Sequence, residues 1–477
     1  MYRLKKILLE FRKNYNADPR ALAIMRIGIA LIVICDLAIR MCDLEAHYTD
    51  AGIWPTDLIK NFGWNHGYWS AHALSGGYEF QLILFVLHFI CALGVLFGFR
   101  TRLSTMLTWL LTISLHNRNI FILQSGDDLL RMVLFWGLFL PWNQVYSLDA
   151  KAGRVRNISN VWVVPGYFAL IASVYFFSVI LKTDPEWHSQ GLAVYYALSL
   201  EQLRLPLGDF IYNYPGLLKI LTHLVYYTEF LVPIFILLPS RSGRSRLLAF
   251  AMIFMLHVGF ALTLYVGLFY IIGIVSAIGL IPGFVFDKLW LKLRTRTAIP
   301  KTKILNQTWL INSFGFLSAF AVCICLIINL STVGWFPYRL RDEINTVTNA
   351  LRLNQYWGMF SPGVLKEDGW FVYHGMDSIG RQWDLRRNED YVDYSKPQHI
   401  VSMYKSDRWR KLAENMQSNN YTFLRPLYCK YILRKWNKEH PKKKLFTLNL
   451  YFMQKTNLEN YKTTVPEKKL HCVCDEH

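Results

Sequence analysis

Long apolar runs separated by short polar stretches dominate the first two thirds of the chain. A helix that crosses a bilayer needs about 20 mostly apolar residues, because the hydrocarbon core is about 30 Å thick and an α-helix rises about 1.5 Å per residue. The pattern predicts nine such segments, at residues 21–39, 80–99, 103–116, 128–141, 162–181, 220–238, 247–264, 267–286 and 308–330. The third and fourth are short, so tilted or partly re-entrant helices are expected there. We therefore predict an all-α polytopic membrane domain over residues 19–330, with about nine transmembrane helices.

The N-terminal residues 1–18 have a different pattern. Their apolar residues recur on one helical face while lysines and arginines occupy the rest, and the apolar set is Leu4, Ile7, Leu8, Phe11 and Tyr15. This periodicity predicts an amphipathic helix that lies on the membrane surface or docks on a partner.

Residues 331–477 are more charged and mix strand and helix patterns. "WFVYHGMDSIGRQWDL" (370–385) is typical of two strands joined by a glycine-containing turn. "SDRWRKLAENMQS" (406–418) has helical character, with Ser406 or Asp407 as its N-cap. "KLFTLNLYFM" (444–453) alternates apolar and polar residues like a half-buried strand. We predict a small C-terminal α+β domain.

The distribution of charge predicts how the chain lies in the membrane. Charged residues make up 18% of the chain, against about 25% in an average soluble domain. If the N-terminus is cytoplasmic, the predicted inner segments hold 20 lysines and arginines and the outer loops hold 6. This asymmetry follows the positive-inside rule through all nine segments. The net charge of +19 therefore indicates orientation, with the tail outside the cytoplasm, and we predict no nucleic-acid partner.

The eight cysteines fit no metal-binding spacing, and we predict no metal. Four of them lie in apolar runs, where a small buried side chain is the usual role. Cys472 and Cys474 are too close in sequence for an ordinary bridge to each other. A disulfide from either one to Cys429 is left open.

Ionisable residues inside predicted spans need an explanation, because each costs about 2.5–3.5 kcal/mol at the centre of a bilayer. The set comprises Arg26, Asp36, His88, Asp127, Asp128, Arg131, His223, Glu229 and His257. One explanation is mutual pairing, with the histidines neutral. The other is a shared polar cavity between the helices. Most of the set falls in the outer half of the predicted spans, so such a cavity opens on the side of the tail.

The stretch "LKTDPEWHSQG" (181–191) places polar residues directly after an uncharged apolar run. In one interpretation Lys182 extends to the lipid headgroups and Trp187 anchors the helix end at the interface. In the other, Lys182 lies at the rim of the cavity, where Asp184, Glu186 or His188 tunes it as a general base.

No nucleotide-binding loop, zinc-protease motif, nucleophile elbow or dinucleotide fingerprint occurs in the chain. Five separated stretches instead resemble a known family: "FICALGVLFGFRTRLS" (89–104), "YSLDA" (146–150), "ILKTDPEWHSQGLAVYY" (180–196), "LHVGFALTLYVGLFY" (256–270) and "LRLNQYWGMFSP" (351–362). Together they resemble the horizontally transferred transmembrane (HTTM) domain, shared by vitamin K-dependent γ-glutamyl carboxylase and many bacterial membrane proteins. The resemblance covers residues 15 to 370.

The resemblance implies a multi-pass protein of the bacterial inner (cytoplasmic) membrane with a periplasmic-facing site. It implies reduced vitamin K or another quinol as cofactor, with O2 and CO2, and a Glu-containing peptide or exported protein as partner beside the membrane lipids. Lys182 and Trp187 match the family segment after the fifth span. Glu229 matches an acidic residue of the sixth span, and His257 matches a histidine that precedes Gly-x-Phe. The matching stretches place Trp187, Tyr270 and Gln355 near the cofactor.

One family feature is missing. The carboxylase has a base lysine in the loop after its third span, where this chain has "LHNRNIFILQSGDDLLR" (115–131). Arg118 cannot replace that lysine as a base, because an arginine side chain stays protonated in proteins. His116, Asp127 and Asp128 are the alternative proton acceptors in this stretch.

Three functions remain open from the sequence. The first is a carboxylase-like enzyme with Lys182, His257, Glu229 and the Asp127/Asp128 pair around its pocket. The second is a non-catalytic lipid- or quinone-binding protein or a scaffold that supports export. The third is a transporter, against which the chain shows no inverted repeat and no pair of broken helices.

Overall fold

The computed structural model describes residues 10–11, 13–155, 162–293 and 308–476. The fold is mostly helical, with one small antiparallel sheet near the C-terminus. The helices are α1 (Pro19–Met41), α2 (Leu44–Tyr48), α3 (Thr56–Phe62), α4 (Tyr78–Phe97), α5 (Thr101–Arg118), α6 (Ser125–Gly137), α7 (Leu148–Lys151), α8 (Val163–Leu181), α9 (Ala193–Ser199), α10 (Pro206–Tyr212), α11 (Pro215–Leu237), α12 (Arg244–Thr263), α13 (Phe269–Ala277), α14 (Gly283–Leu293), α15 (Thr308–Ser331), α16 (Asp342–Ala350), α17 (Asp407–Gln417) and α18 (Leu424–Glu439). The strands are β1 (Glu367–Met376), β2 (Gln382–Asp384), β3 (Thr447–Thr456) and β4 (Glu467–Asp475).

Five of these helices are long and apolar enough to cross a membrane, namely α1, α4, α8, α11 and α12. Each coincides with one of the nine predicted spans. The other four predicted spans fall on helices that are shorter, more polar or only partly described. The fold therefore supports a multi-pass membrane protein, and a count of nine spans stays a prediction.

The span predicted at residues 267–286 is not one continuous helix. Helix α13 ends at Ala277, a 3-10 turn follows, and α14 begins at Gly283. Pro282 has no backbone N–H and disfavours helical geometry at the residue before it. Ile281 accordingly has an extended ψ of 121°. The proline therefore separates two helices where hydropathy alone predicts one.

Local sequence sets the start of the first span, and small residues set the close packing that follows. Asp18 accepts the backbone N–H of Arg20 at 2.8 Å, and Pro19 occupies the first turn, where no N–H is needed. Helix α1 packs against α4, and α8 packs against α11 and α15. A Cβ at Gly166 of α8 would lie 2.8 Å from the ring of Trp136. The absence of a side chain there lets α6 and α8 approach.

The amphipathic helix predicted for residues 1–18 lies largely outside the described residues. Of its apolar face, the ring of Phe11 lies 5.3 Å from the ring of Trp162. The Tyr15 hydroxyl donates to the carbonyl of Leu237 at 2.6 Å. The described end of this segment therefore packs against the C-terminal end of α11, and its contact with lipid stays a prediction.

The tail forms a four-stranded antiparallel sheet in the order β2-β1-β3-β4, and helix α18 packs against β3 and β4. The predicted hairpin, helix and third strand are confirmed. Gly380 adopts a left-handed φ of 82° in the turn between β1 and β2, which glycine tolerates. Strand β4 was not predicted, because "EKKLHCVCD" combines lysines with few apolar residues. Its pairing with β3 compensates for that weak pattern.

The tail is in contact with loops of the helical domain. Lys405 lies 2.5 Å from Asp43, and the amide of Asn415 donates to the carbonyl of Phe121 at 2.7 Å. Arg434 donates to the carbonyl of Ala51 at 3.0 Å. All three contacts fall on the loops 40–79 and 117–127, which the charge pattern assigns to one side of the membrane.

Candidate functional site

Lys182 follows the last residue of α8 and forms a buried ion pair with Glu229 of α11. Its Nζ lies 2.6 Å from Glu229 Oε2, and the two side chains are only 2% and 5% exposed. Ser178 lies one helical turn before Lys182, on the same face of the chain. Its hydroxyl donates to Glu229 Oε2 at 3.0 Å and accepts from Lys182 Nζ at 2.6 Å. The three side chains form one hydrogen-bonded unit with opposite charges paired among apolar helices.

The polar stretch after α8 folds into a turn that brings Trp187 back over the lysine. Asp184 caps this turn by accepting the backbone N–H of Glu186 at 3.1 Å. Lys182 Nζ then lies 4.8 Å from the centroid of the Trp187 ring, in the range of a cation–π contact. The indole N–H donates to the carbonyl of Phe360 at 2.9 Å, which fixes the ring. Trp187 is 3% exposed, so it closes the site.

The residues expected to tune Lys182 act elsewhere. Buried Glu186 accepts the backbone N–H of Val364 and lies 3.5 Å from Lys366 Nζ. His188 Nε2 donates to the backbone carbonyl of Lys182 at 2.7 Å and does not touch its amine. The group that pairs with the lysine is Glu229, which lies 47 positions away in the sequence.

A cavity of about 660 Å³ lies beside this ion pair, between α11, α12 and the short helices α9 and α10. Its lining is almost wholly apolar, and Lys182 and Glu229 supply the only charges among the lining residues. Leu224, Met255 and Leu262 also line it, and they are 58%, 68% and 52% exposed. Exposed apolar side chains on two candidate spans face lipid when the protein is in a membrane. The cavity therefore opens between α11 and α12 toward the lipid.

Glu229 has one oxygen that is available to a ligand. Both polar contacts of the carboxylate fall on Oε2. Within the part of the chain that the structure describes, Oε1 accepts no hydrogen bond, and Glu229 lines the cavity. A ligand hydroxyl can therefore donate to Oε1 without displacing Lys182 or Ser178. An apolar pocket with one such polar end orients an amphiphilic ligand.

His257 lies on α12 but does not line the cavity. Its Nε2 bonds with the hydroxyl of Tyr175 at 3.0 Å. The rings of Phe260 and Phe269, which do line the cavity, lie 5.8 and 5.2 Å from the imidazole. A Cβ at Gly273 would lie 2.1 Å from the imidazole, so α13 packs directly on it. The predicted catalytic histidine is thus behind the aromatic wall of the pocket, among packed helices.

The predicted acceptors Asp127, Asp128 and His116 belong to a second, separate cluster. Asp127 pairs with Arg40 at 2.8 Å and with Arg408 of the tail at 2.5 Å. His116 Nε2 lies 3.5 Å from Asp127, and its Nδ1 accepts from Arg131 at 2.9 Å.

Asp128 pairs with Arg131 in the same cluster. None of the three predicted acceptors lines the apolar cavity. Each has a fixed positive or imidazole partner, and the arrangement joins the tail to the helical domain.

The second cluster also has the spacing of a metal site. Donor atoms of Asp36, His116 and Asp127 lie within 4.8 Å of one another, and all three residues are buried. Arg40 and Arg408 each donate to both carboxylates. Two guanidinium charges therefore occupy the positions that a cation would need, and these residues do not fit a metal.

The two remaining predicted cofactor residues are not in the pocket. Gln355 is buried, and its Oε1 accepts from Asn329 and from Trp357, each at 3.3 Å. Tyr270 is half-buried and follows Phe269, whose ring faces the cavity. Met359 and Phe360, from the same stretch as Gln355, do line the cavity. Of the predicted residues, the structure brings together Lys182, Glu229 and Trp187.

Two side chains of these clusters, Ser178 and Arg408, are not predicted from the sequence pattern. Ser178 is recognisable in retrospect, because a hydroxyl four residues before Lys182 shares its helical face. Arg408 has no local signal, since its partner Asp127 lies 281 positions earlier. Comparison with known proteins gives no match to a family model, a curated protein or a solved structure.

Proposed function

We propose that the cavity between α11 and α12 binds a lipid-soluble molecule with an acidic hydroxyl, such as a quinol, and that Glu229 accepts its proton. One observation carries this proposal. A cavity of about 660 Å³ is lined by apolar side chains and ends at a single buried Lys182–Glu229 pair. The volume falls within the range of about 300–1,000 Å³ that is usual for small-molecule sites.

The opening of the cavity favours a ligand that arrives through the membrane. Met255 and Leu224 flank it and are exposed on two candidate spans. An apolar ring with a hydrocarbon tail gains about 25 cal/mol for each Å² of apolar surface that it removes from water. A ligand that moves from lipid into the cavity removes little apolar surface from water, so it gains little of this free energy. Its affinity for the cavity therefore depends on contacts with the polar end. Selectivity then rests on Lys182 and Glu229.

The chemistry available at the polar end is proton transfer with charge compensation. A ligand hydroxyl that donates to Glu229 Oε1 is in position to pass its proton to the carboxylate. Lys182 Nζ, 2.6 Å from Oε2, then lies within reach of the phenolate and stabilises its negative charge. Ser178 holds both groups throughout. A deprotonated quinol is the species that reacts with oxygen.

The carboxylase-like part of the proposal rests on the family resemblance. In that reading the chain is a periplasmic-facing enzyme of the bacterial inner membrane that uses reduced vitamin K or another quinol, O2 and CO2. A Glu-containing peptide or exported protein would reach the site past Met359 and Phe360, which line the cavity at the start of the tail. Lys182 and Glu229 then supply the acid–base function that the carboxylase assigns to its loop lysine.

A second candidate function is ligand binding without turnover. Arg118 lies in the stretch where the carboxylase has its base lysine, and it donates to the carbonyl of Trp54 at 2.7 Å. Arg118 therefore stabilises a loop and does not supply a base. The Lys182–Glu229 pair is also fully compensated without ligand. These observations favour a quinone- or lipid-binding protein, or a scaffold that supports export.

One experiment separates the candidates. Purified protein receives reduced vitamin K, O2, labelled CO2 and a Glu-rich peptide, and both label incorporation and quinol oxidation are followed. Wild type is compared with Lys182→Met, Glu229→Gln and the control Lys219→Met, which changes an exposed lysine on the same helix as Glu229. Quinol binding is measured in parallel by quenching of tryptophan fluorescence.

Each outcome decides between the candidates. Label incorporation that both pocket variants lose supports a carboxylase. Oxidation without label supports a quinol enzyme with another acceptor. Saturable binding that Lys182→Met weakens, without turnover, supports the binding protein. Absence of binding in folded wild type, or equal binding in Lys182→Met and Lys219→Met, overturns the proposed pocket function.

A further inference from the structure

Three of the eight cysteines meet in the tail, and Cys429 is distant in sequence from the other two. Cys429 lies on α18, and Cys472 and Cys474 lie on β4. Residues two apart on a strand point to the same face, so both strand thiols face the helix that packs against β4. The Sγ atoms of Cys474 and Cys429 are 2.7 Å apart. A disulfide needs about 2.05 Å, so these two atoms require only a small further movement.

Cys429 contacts both strand cysteines. Its Sγ lies 2.7 Å from that of Cys474, and Cys472 lies on the same face of β4. The neighbouring Cys472 thiol raises the pKa of Cys429, and burial adds to the rise. Cys472 Sγ also donates to the carbonyl of Arg425 at 3.2 Å. One buried sulfur therefore has two alternative partners.

The three thiols differ in access to solvent. Cys429 and Cys474 are buried at 0% and 5% exposure, whereas Cys472 is half-buried on the outermost strand of the sheet. The hydrogen bond to Cys429 and burial raise the pKa of Cys474 well above its ordinary range. Buried thiols of this kind react slowly with reagents in solution. Access from solvent is therefore through Cys472.

We propose that Cys429, Cys472 and Cys474 form a thiol–disulfide site, in which Cys429 and Cys474 close into a disulfide and Cys472 is the exchanging thiol. This site is independent of the quinol pocket. Oxidation removes two electrons and two protons from Cys429 and Cys474, and the oxidant is a disulfide of low molecular weight or of a partner protein.

Each exchange step is balanced. The thiolate of Cys472 attacks the external disulfide, forms a mixed disulfide and releases one thiol. Cys429 then attacks Cys472 Sγ, which forms the Cys429–Cys472 bond and releases the second thiol. Cys474 finally attacks Cys429 Sγ and returns Cys472 to its thiol form. Reduction by an external thiol runs through the same steps in reverse.

The bridge has a structural consequence. It joins α18 covalently to β4, which is paired on one side only, to β3. Closing a loop between positions 45 apart restricts the unfolded chain, so the oxidised tail is more resistant to unfolding. Strand β4 also has the weakest local pattern of the sheet, and the disulfide compensates for it.

The test uses the intact protein in detergent. Reduced protein is freed of reductant, incubated with oxidised glutathione, trapped by alkylation and analysed by mass spectrometry of its peptides. The expected result is a Cys429–Cys474 linked peptide with Cys472 alkylated. Exposed Cys42, which follows the last residue of α1, serves as an internal control for the alkylation. Three separately alkylated tail thiols in the oxidised sample, or a dominant Cys429–Cys472 peptide, would overturn the pairing.

The exchange role is tested separately with Cys472→Ser, a change of one atom at a half-buried position. The Cys429–Cys474 bridge of this variant is formed with a small, strong oxidant, and its opening by reduced glutathione is timed. We expect opening to slow by at least about tenfold, because attack must then reach two buried sulfurs directly. An opening rate equal to that of wild type overturns the role of Cys472 and leaves the pairing result intact.

Discussion

Arg408, on helix α17 of the tail, donates two hydrogen bonds to the carboxylate of Asp127 on α6, with N–O distances of 2.5 and 2.8 Å. The same guanidinium reaches Asp36 on α1 at 2.8 Å. All three side chains are buried. Helices from opposite ends of the chain therefore share one compensated charge cluster, and removal of any member leaves a buried charge with fewer partners.

Arg408→Met should weaken the attachment of the tail. We expect a loss of about 3 kcal/mol in the free energy of unfolding, at the low end for a broken buried pair because Arg40 still compensates Asp127. Thermal unfolding in detergent and limited proteolysis of the tail measure the loss. Arg381→Met is the matched control, since Arg381 is 67% exposed in its pair with Asp377 and should change stability by less than about 0.5 kcal/mol. Equal losses in the two variants would show that the cluster does not hold the tail.

The Lys182–Glu229 pair should show strong energetic coupling. Lys182→Met and Glu229→Leu alone each leave an uncompensated buried charge and should cost about 3–5 kcal/mol. The double variant removes both charges and should be more stable than either single variant. Unfolding midpoints of the four proteins form a double-mutant cycle. Additive losses would mean that the two side chains do not interact as the structure shows.

Filling the cavity should block ligand binding without loss of the fold. Gly259 lines the cavity on α12, and a Cβ there meets no atom within 4 Å. Gly259→Leu should abolish quinol binding and leave stability equal or slightly higher, because leucine favours a helix over glycine by up to about 1 kcal/mol. Gly216→Leu, on α11, also enters open space but outside the cavity. If both variants bind quinol like wild type, the ligand does not occupy this cavity.

Asp368 in β1 should make stability depend on pH. Burial raises its pKa to about 6, from an ordinary value of 3.8. The folded chain therefore keeps a proton that the unfolded chain releases between about pH 4 and pH 6. The stabilising contribution is full below pH 4 and falls as pH rises to 6.

Asp368→Asn should remove this fall, since an amide stays neutral and still accepts the N–H of Glu201 that Asp368 accepts at 2.8 Å. Unfolding temperature measured from pH 4 to 7 tests this expectation. Asp390→Asn, at an exposed position of the same domain, should keep the pH dependence of wild type. An unchanged slope in Asp368→Asn would assign the dependence to another group.

Local pattern alone predicted most helices and the tail hairpin, because periodicity and turn residues act over a few positions. The five long apolar helices and the strand at Thr447–Thr456 follow from that information. It failed at Pro282, where one residue divides an apolar run. Local pattern also did not predict β4, because its lysines interrupt the apolar positions. This strand forms through its pairing with β3.

The sequence by itself determined which side chains carry charge in apolar surroundings, including Lys182, Glu229 and Asp127. It did not determine their partners, because each pair joins residues far apart and only packing brings them together. Tertiary structure decided that Lys182 pairs with Glu229 beside an apolar cavity, and that Asp127 pairs with Arg408 instead of serving that cavity. A buried charge must be compensated, but which of several opposite charges compensates it depends on helix geometry.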